Sequence, residues 1–461
     1  MKIITSLIFF LWSWSLSGQD YPVVPLLEQG EQQIKLVFLG DGYTVSQQNV
    51  FIEHARSMLN ALLLTSPFKE YRAYFNAYAI QVPSAQSGAD HPGTGTDVSE
   101  PAFPVSDVNT IFNTTFDYFN IHRLVVPQNS GELFNILGRQ MPDFDQAFVV
   151  VNSKEYGGSG GFFATSTVNE SANEIAIHEI GHSFAGLSDE YYAGDQFAGE
   201  SPNMTQERSP AKVRWQSWLN QQGVGIFQHC CGGLSSQWYK PHQNCKMQVL
   251  GPPFCLVCRE RLVDRIYELV NPIHHFRPEF PVVPWTESTF FTISTIKPNP
   301  NTTSIQWYIN GKLLKSNTDT LYLKSTDLTE TDNLLEAIYV DSTTLSRTYL
   351  PSTGYSYKVS WTVTDSGTTA VIQNPRIIGI KAKLRPTLVD NRLTVLLTPP
   401  VELHKMPWQI STVTGEVLRT GVLIISGAPE FAFEVGDLSP GLYYFTLNLN
   451  PFPMTMVFIK Q

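Results

Sequence analysis

Pro272 divides the chain into two kinds of sequence, and that division limits the fold more than any other feature. Before it, short apolar runs alternate with stretches of helical period; after it, helical periodicity disappears. Residues 35–40 (Lys-Leu-Val-Phe-Leu-Gly) read as a buried strand, and Thr44-Val45-Ser46-Gln47 as a capping box opening a helix. That helix repeats apolar residues at Phe51, Ala55, Met58, Leu59, Leu62 and Leu63, a 3.6-residue period. Strand-like runs follow at 74–82, 124–127 and 147–152, and a helical stretch over 256–270 closes the region. Strands alternating with helices imply a layered α/β domain over residues 19–272.

Beyond Pro272 the chain stiffens at Pro278, Pro281 and Pro284, then breaks into short β-branched or aromatic runs at 290–294, 304–309 and 321–323. Asn310-Gly311 directly after Gln306-Trp307-Tyr308-Ile309 is a two-residue hairpin signal. Residues 273–376 read as an Ig-like β-sandwich. A second all-β unit over 377–461 has strands near 393–397, 408–411 and 442–447. The expected fold class is therefore α/β, followed by two all-β domains. A length of 461 residues suits three domains at ~150 residues each.

The N-terminus bears on the compartment. Met1-Lys2, an apolar stretch over 3–16 and the small residues of Ser15-Leu16-Ser17 read as a secretory leader over 1–18. The apolar run is shorter than the ~20 residues that a bilayer helix needs, and no later stretch is long enough. A secreted or cell-surface protein is expected. Thirty-one basic against 41 acidic residues give a formal charge of −10 with no basic run. Nucleic acid and anionic membrane are poor partners for such a chain.

The sharp chemistry sits between Ser171 and Cys258. Ser171-Ala172-Asn173-Glu174 is a second capping box, and the helix it opens runs through His178-Glu179-Ile180-Gly181-His182. Histidines four apart leave one helix face and can chelate one tetrahedral ion. Glu179 beside them is set to polarise water rather than to ligate, the H-E-x-x-H pattern of zinc peptidases. Gly186 is the expected helix end. In metzincins the third ligand lies three residues after such a glycine, which here is Asp189; Glu190 is its competitor, and Ser188 is a poor zinc ligand. Tyr191 or Tyr192 is a candidate for reaching the metal or an oxyanion, against simple packing under the site. Met247, in Asn244-Cys245-Lys246-Met247-Gln248, has the chain position of a methionine turn beneath a metal, or of a plain core residue.

Several separated motifs agree in order with one family. They are Val37-Phe38-Leu39-Gly40-Asp41-Gly42-Tyr43-Thr44, Ser87-Gly88-Ala89-Asp90, and Gly157-Gly158-Ser159-Gly160-Gly161. To them are added the run from His178 to Tyr192, Cys245-Lys246-Met247, and Pro253-Phe254-Cys255-Leu256-Val257-Cys258. Over roughly residues 30–270 the chain resembles the IgA-peptidase family of secreted zinc metallopeptidases. The resemblance implies a metzincin-like α+β domain and a protein or peptide substrate. It also implies one catalytic Zn2+ held by His178, His182 and Asp189, with Glu179 as catalytic base. The run from Val435 to Phe445 and the ending Phe458-Ile459-Lys460-Gln461 resemble a type IX secretion sorting domain. Thr414-Gly415 would be its hairpin and Asn374-Pro375 its start, and secretion machinery would be a partner.

Other features stay open. Cys230, Cys231, Cys245, Cys255 and Cys258 lie in one region; export favours disulfides over a structural zinc knuckle, and an odd count leaves one thiol over. The glycine-rich segment 157–166 is the candidate sheet edge for a substrate strand, or a flexible loop. Asp41 and Asp90 are candidates for a structural or a calcium-binding role. Trp307, Tyr308 and Trp361 suit glycan contact less well than a sandwich core. A monomer is expected. Two rival readings are a pseudo-peptidase that only binds, and a zinc esterase or amidase acting on a non-peptide substrate.

Overall fold

The N-terminal domain is a mixed sheet with helices on both faces. Its elements are β1 (Val23–Leu27), β2 (Ile34–Asp41), α1 (Gln48–Leu62), β3 (Phe75–Ile80), β4 (Thr114–Thr115), β5 (Val126–Pro127), α2 (Ser130–Gln140), β6 (Gln146–Val151), β7 (Gly158–Ser159), β8 (Ala164–Thr167), α3 (Ala172–Ala185) and α4 (Leu256–Leu269). The computed structural model describes residues 20–99, 104–347, 357–364, 381–385, 388–398, 405–412, 416–424, 430–449 and 452–460. The expected leader, the 376/377 boundary, Asn374-Pro375 and Thr414-Gly415 lie outside the described residues.

Six strands pair in the order β1-β3-β2-β6-β8-β7. The inner four run parallel, and β1 and β7 close the ends antiparallel. Strand β2 carries an unbroken apolar run because both of its faces are covered. Leu36 and Phe38 belong to the core that also holds residues of α1, α3 and α4, while Val37 and Leu39 face Leu133, Ile136 and Leu137 of α2. Alternation of period two thus divides one strand between two cores.

The first helix begins one tight turn later than the capping residues imply. Thr44 N–H donates to Gln47 Oε1 at 3.0 Å, but Val45–Gln47 is a 3-10 turn and α1 follows it. The capping box at Ser171 does not form its reciprocal bonds. Glu174 instead pairs with Lys246 Nζ and accepts the Gly251 N–H at 2.7 Å, fastening the start of α3 to the loop before α4. At its other end α3 stops as expected, with Gly186 at φ +65°.

The core of the first domain continues into the sandwich through buried tyrosines. Tyr71 Oη donates to Asp341 at 2.7 Å, and the Tyr74 and Tyr339 hydroxyls lie 2.9 Å apart. Three-stranded and five-stranded sheets make up the part from Ile273 to Thr364. Asn310 (φ +48°) and Gly311 (φ +77°) form the hairpin turn between Thr303–Ile309 and Lys312–Ser316, both in the region such a two-residue turn demands. Trp307 and Trp361 are buried and stacked with ring centroids 6.0 Å apart, so they serve the core. The last module has a three-stranded and a five-stranded sheet around its own core of Leu393, Ile410, Phe445 and Phe458. Among the described residues no helix is long and apolar enough to cross a membrane.

Candidate metal centre

Helix α3 is buried along most of its length, and its polar exceptions are the chemistry. His178 Nδ1–H donates to the Lys246 carbonyl at 2.9 Å, and His182 Nδ1–H donates to the Leu187 carbonyl at 2.6 Å. A carbonyl only accepts, so these bonds fix the protons on Nδ1 and leave both Nε2 lone pairs free. The two Nε2 atoms lie 3.1 Å apart, and Asp189 Oδ1 lies 3.0 Å from one and 3.2 Å from the other.

In the neutral tautomers three acceptors therefore converge on one point, an arrangement that a positive charge relieves, whether a proton drawn to the imidazoles by Asp189 or a metal ion. A tetrahedral ion with ~2.0 Å bonds to nitrogen and oxygen has ligand–ligand edges of about 3.3 Å, close to the three distances found. The donor set fits a zinc-type ion on geometry and chemistry alike. Electrostatics records the same convergence. Burial works against a charged His182, but the hydrogen bond and charge of Asp189 outweigh it and push the imidazole up to about 9. Asp189 is buried too, yet its two histidine partners hold its carboxyl well below the usual range.

Glu179 stands beside this trio, with Oε2 4.0 Å from His182 Nε2. Burial raises its proton affinity, and the two histidines partly offset that. A carboxylate poised upward next to a cation site is suited to carry a proton. Tyr191 lines the cleft with its ring 6.2 Å from that of His178 and the Arg123 guanidinium 5.5 Å from its centroid. Tyr192 is more than half exposed. Met247 is fully buried under the helix, close enough that a Cβ on Gly181 would stand 2.6 Å from its sulfur. The Met247 carbonyl accepts the Glu190 N–H at 2.7 Å, so this turn also supports the loop that carries Asp189.

The cleft over the site has a volume of about 1340 Å³ and an apolar wall that includes Phe134, Phe162 and Phe163. The glycine run in front of α3 makes a real edge, but a shorter one than the whole segment 157–166. Gly158 N–H donates to the Arg123 carbonyl at 3.1 Å, and its own carbonyl accepts the Val125 N–H at 3.3 Å. The chain at 123–125 thus covers β7 at Gly158. The glycines are required by proximity to α3: a Cβ on Gly158 would stand 2.6 Å from Ile175 Cγ2, and one on Gly160 2.5 Å from His182 Cβ.

One expectation changes. The five cysteines are all free rather than paired in disulfides. Asp41 is buried with four donors, from Ser84 Oγ, Thr110 Oγ1 and the Phe112 and Thr114 amides, and ties loops together. Two further groups of potential ligands occur among the described residues. Glu190 does not compete for the first site; it turns the other way, to Cys245, Cys255 and Cys258. His91, Asp117 and His122 form another buried group, with His122 Nδ1 3.2 Å from Asp117 Oδ1 and His122 Nε2 2.9 Å from Glu155 Oε1. Its members are scattered along the chain, and no spacing rule marks them.

Residues 24–227 match the family model described as IgA Peptidase M64, a stretch that contains His178, Glu179, His182 and Asp189. The matched stretch is less than half of the chain, and over it the chain is similar to a family whose members are metallopeptidases. No curated protein matches the chain. Among solved structures, dimeric latent PorU from Porphyromonas gingivalis is similar at 11% identity and a TM-score of 0.15, over 40% of this chain and 19% of its own. Fibronectin(III)-like modules of Clostridium thermocellum CbhA are similar at 12% identity and a TM-score of 0.14, over 41% of this chain and 93% of theirs. A two-domain fibronectin type-III segment of chicken tenascin stands at 12% and 0.14, over 41% of this chain and 99% of its own. The chain thus spans less than a fifth of PorU, and at these scores the structural likenesses carry no argument.

Proposed function

We propose that this protein is a secreted, zinc-dependent endopeptidase with a metzincin-like catalytic domain. The observation that carries the reading is the convergence of His178 Nε2, His182 Nε2 and Asp189 Oδ1 within 3.0–3.2 Å, with both imidazole tautomers fixed by carbonyls. These three residues would hold the ion. Zinc bound there supplies Lewis-acid polarisation of the scissile carbonyl and acidifies water.

The chain's own groups do the rest. Glu179 takes the proton from the attacking water and passes it to the leaving amide nitrogen, a transfer that its burial beside the histidines favours. Tyr191 and Arg123, in contact over the cleft, face the position where negative charge develops on the carbonyl oxygen. The open part of the glycine edge beyond Gly158 receives the substrate backbone as an added strand. The C-terminal module serves export as a sorting domain, on the strength of its sequence resemblance.

The test is chelation and reconstitution. Cleavage of a peptide mixture should stop on metal removal and return with zinc, and Asp189→Ala should lower zinc affinity by at least tenfold. Activity that survives complete metal removal would overturn the reading.

A further inference from the structure

The cysteine cluster behind the first site has the geometry of a second one. We propose that Cys245, Cys255, Cys258 and Glu190 hold a structural zinc ion, separate from the cleft and independent of the peptidase reading. Cys245 Sγ lies 3.7 Å and Cys255 Sγ 3.6 Å from Cys258 Sγ, which is 3.4 Å from Glu190 Oε1. All four ligand atoms lie within 4.8 Å of one another, and all four residues are buried. A tetrahedral zinc with ~2.3 Å bonds to sulfur and ~2.1 Å to oxygen has S···S edges of about 3.8 Å and S···O edges of about 3.6 Å. The three edges found match those figures. A disulfide needs sulfurs ~2.05 Å apart, and none of these pairs approaches that.

Chemistry favours an ion as well. Glu190 is fully buried; Asn203 Nδ2 donates to Oε1 at 3.1 Å, and Oε2 has no hydrogen-bond donor. A carboxylate in such a place is costly unless a cation meets it. The nearby Lys240 ammonium donates to the Glu190 backbone carbonyl rather than to this carboxylate, and a disulfide between any two of the sulfurs would leave a third thiol and the carboxylate without an ion. The Cys255 N–H donates to Cys245 Sγ at 3.3 Å, the kind of outer bond that orients a metal thiolate. Three sulfurs and one oxygen with no open position suit a closed zinc site rather than calcium or magnesium.

The placement gives the ion a task. Glu190 follows Asp189, Cys245 precedes Met247 by two residues, and Cys255 and Cys258 lie at the start of α4. One ion would join the loop bearing a ligand of the first site, the turn that accepts the His178 Nδ1 proton, and the helix packed against α3. Among the described residues no other cross-link spans these three segments.

Metal content of the full chain, read by mass spectrometry, separates the outcomes. The wild type should hold two zinc ions, and His178→Ala/His182→Ala should hold one. Adding Cys255→Ser/Cys258→Ser to that variant should remove the last. Cobalt substitution of the wild type covers the case of a variant that fails to fold: the cysteine site gives a thiolate-to-cobalt charge-transfer band, whereas nitrogen and oxygen ligands give none. One zinc in the wild type without a thiolate band in the cobalt form overturns the proposal. A denatured mass two hydrogens lighter, with these cysteines resisting alkylation, overturns it too.

Discussion

Gly160→Ala places one methyl group against the catalytic helix, and its effect can be worked from distances. The added Cβ would stand 2.5 Å from His182 Cβ and 2.7 Å from His182 Cδ2. Carbon atoms in contact settle at about 3.5–4.0 Å, so the two segments must separate by roughly an ångström. Rotamer change cannot relieve the clash, because both Cβ atoms are fixed to backbone. Overpacking of this kind costs about 1–3 kcal/mol, and an ångström of misplacement at a reacting group lowers activity by about 10²-fold. Gly161→Ala is the control, since its Cβ would meet nothing within 4 Å. Both proteins should be assayed for kcat/KM on a cleaved peptide and for zinc affinity by chelator competition. Gly160→Ala should lose about 10²-fold in kcat/KM with weakened zinc binding, and Gly161→Ala should match the wild type. Equal behaviour of the two variants, in either direction, would refute the reasoning.

Other perturbations test separate parts of the account. Tyr191→Phe keeps the ring and removes the hydroxyl; kcat should fall by about 10²-fold with zinc content unchanged, and an unaltered kcat would reduce Tyr191 to packing. Asp264, which accepts from Ser346 Oγ at 3.0 Å, is pushed up to about 7 by burial and then by the charge of Glu260. A folded-state value above the unfolded ~3.9 means the group's contribution is full below about pH 4 and lost as pH rises through 7. Asp264→Asn should therefore gain stability over the wild type from pH 5 to pH 8 in denaturant titrations, by up to ~4 kcal/mol, and a pH-independent difference would contradict this.

What the sequence made legible was what is local. His178, Glu179 and His182 are fixed by helical spacing, and Gly186 by the left-handed residue that a helix end requires. The layered first domain and the Asn310-Gly311 hairpin could be read the same way. Choices that depend on distant chain segments could not. Asp189 and Glu190 are neighbours in sequence, but the loop sends their side chains to opposite sides, one to the histidines and one to the cysteines. Glu174 looked like a capping residue until Lys246, 72 positions away, took its carboxylate. Cysteine spacing says nothing of whether sulfurs sit at bonding distance or around an ion. The cover over Gly158 comes from residues 123–125, whose pairing has no sequence signature.

Glu179 is proposed to perform proton transfer beside a zinc ion that it does not ligate. Zinc content and cleavage of a diverse peptide library, measured together on the wild type and Glu179→Ala, test it most directly. Equal zinc in both, with cleavage by the wild type alone, is the expected result; cleavage by both, or by neither at full zinc occupancy, would contradict it.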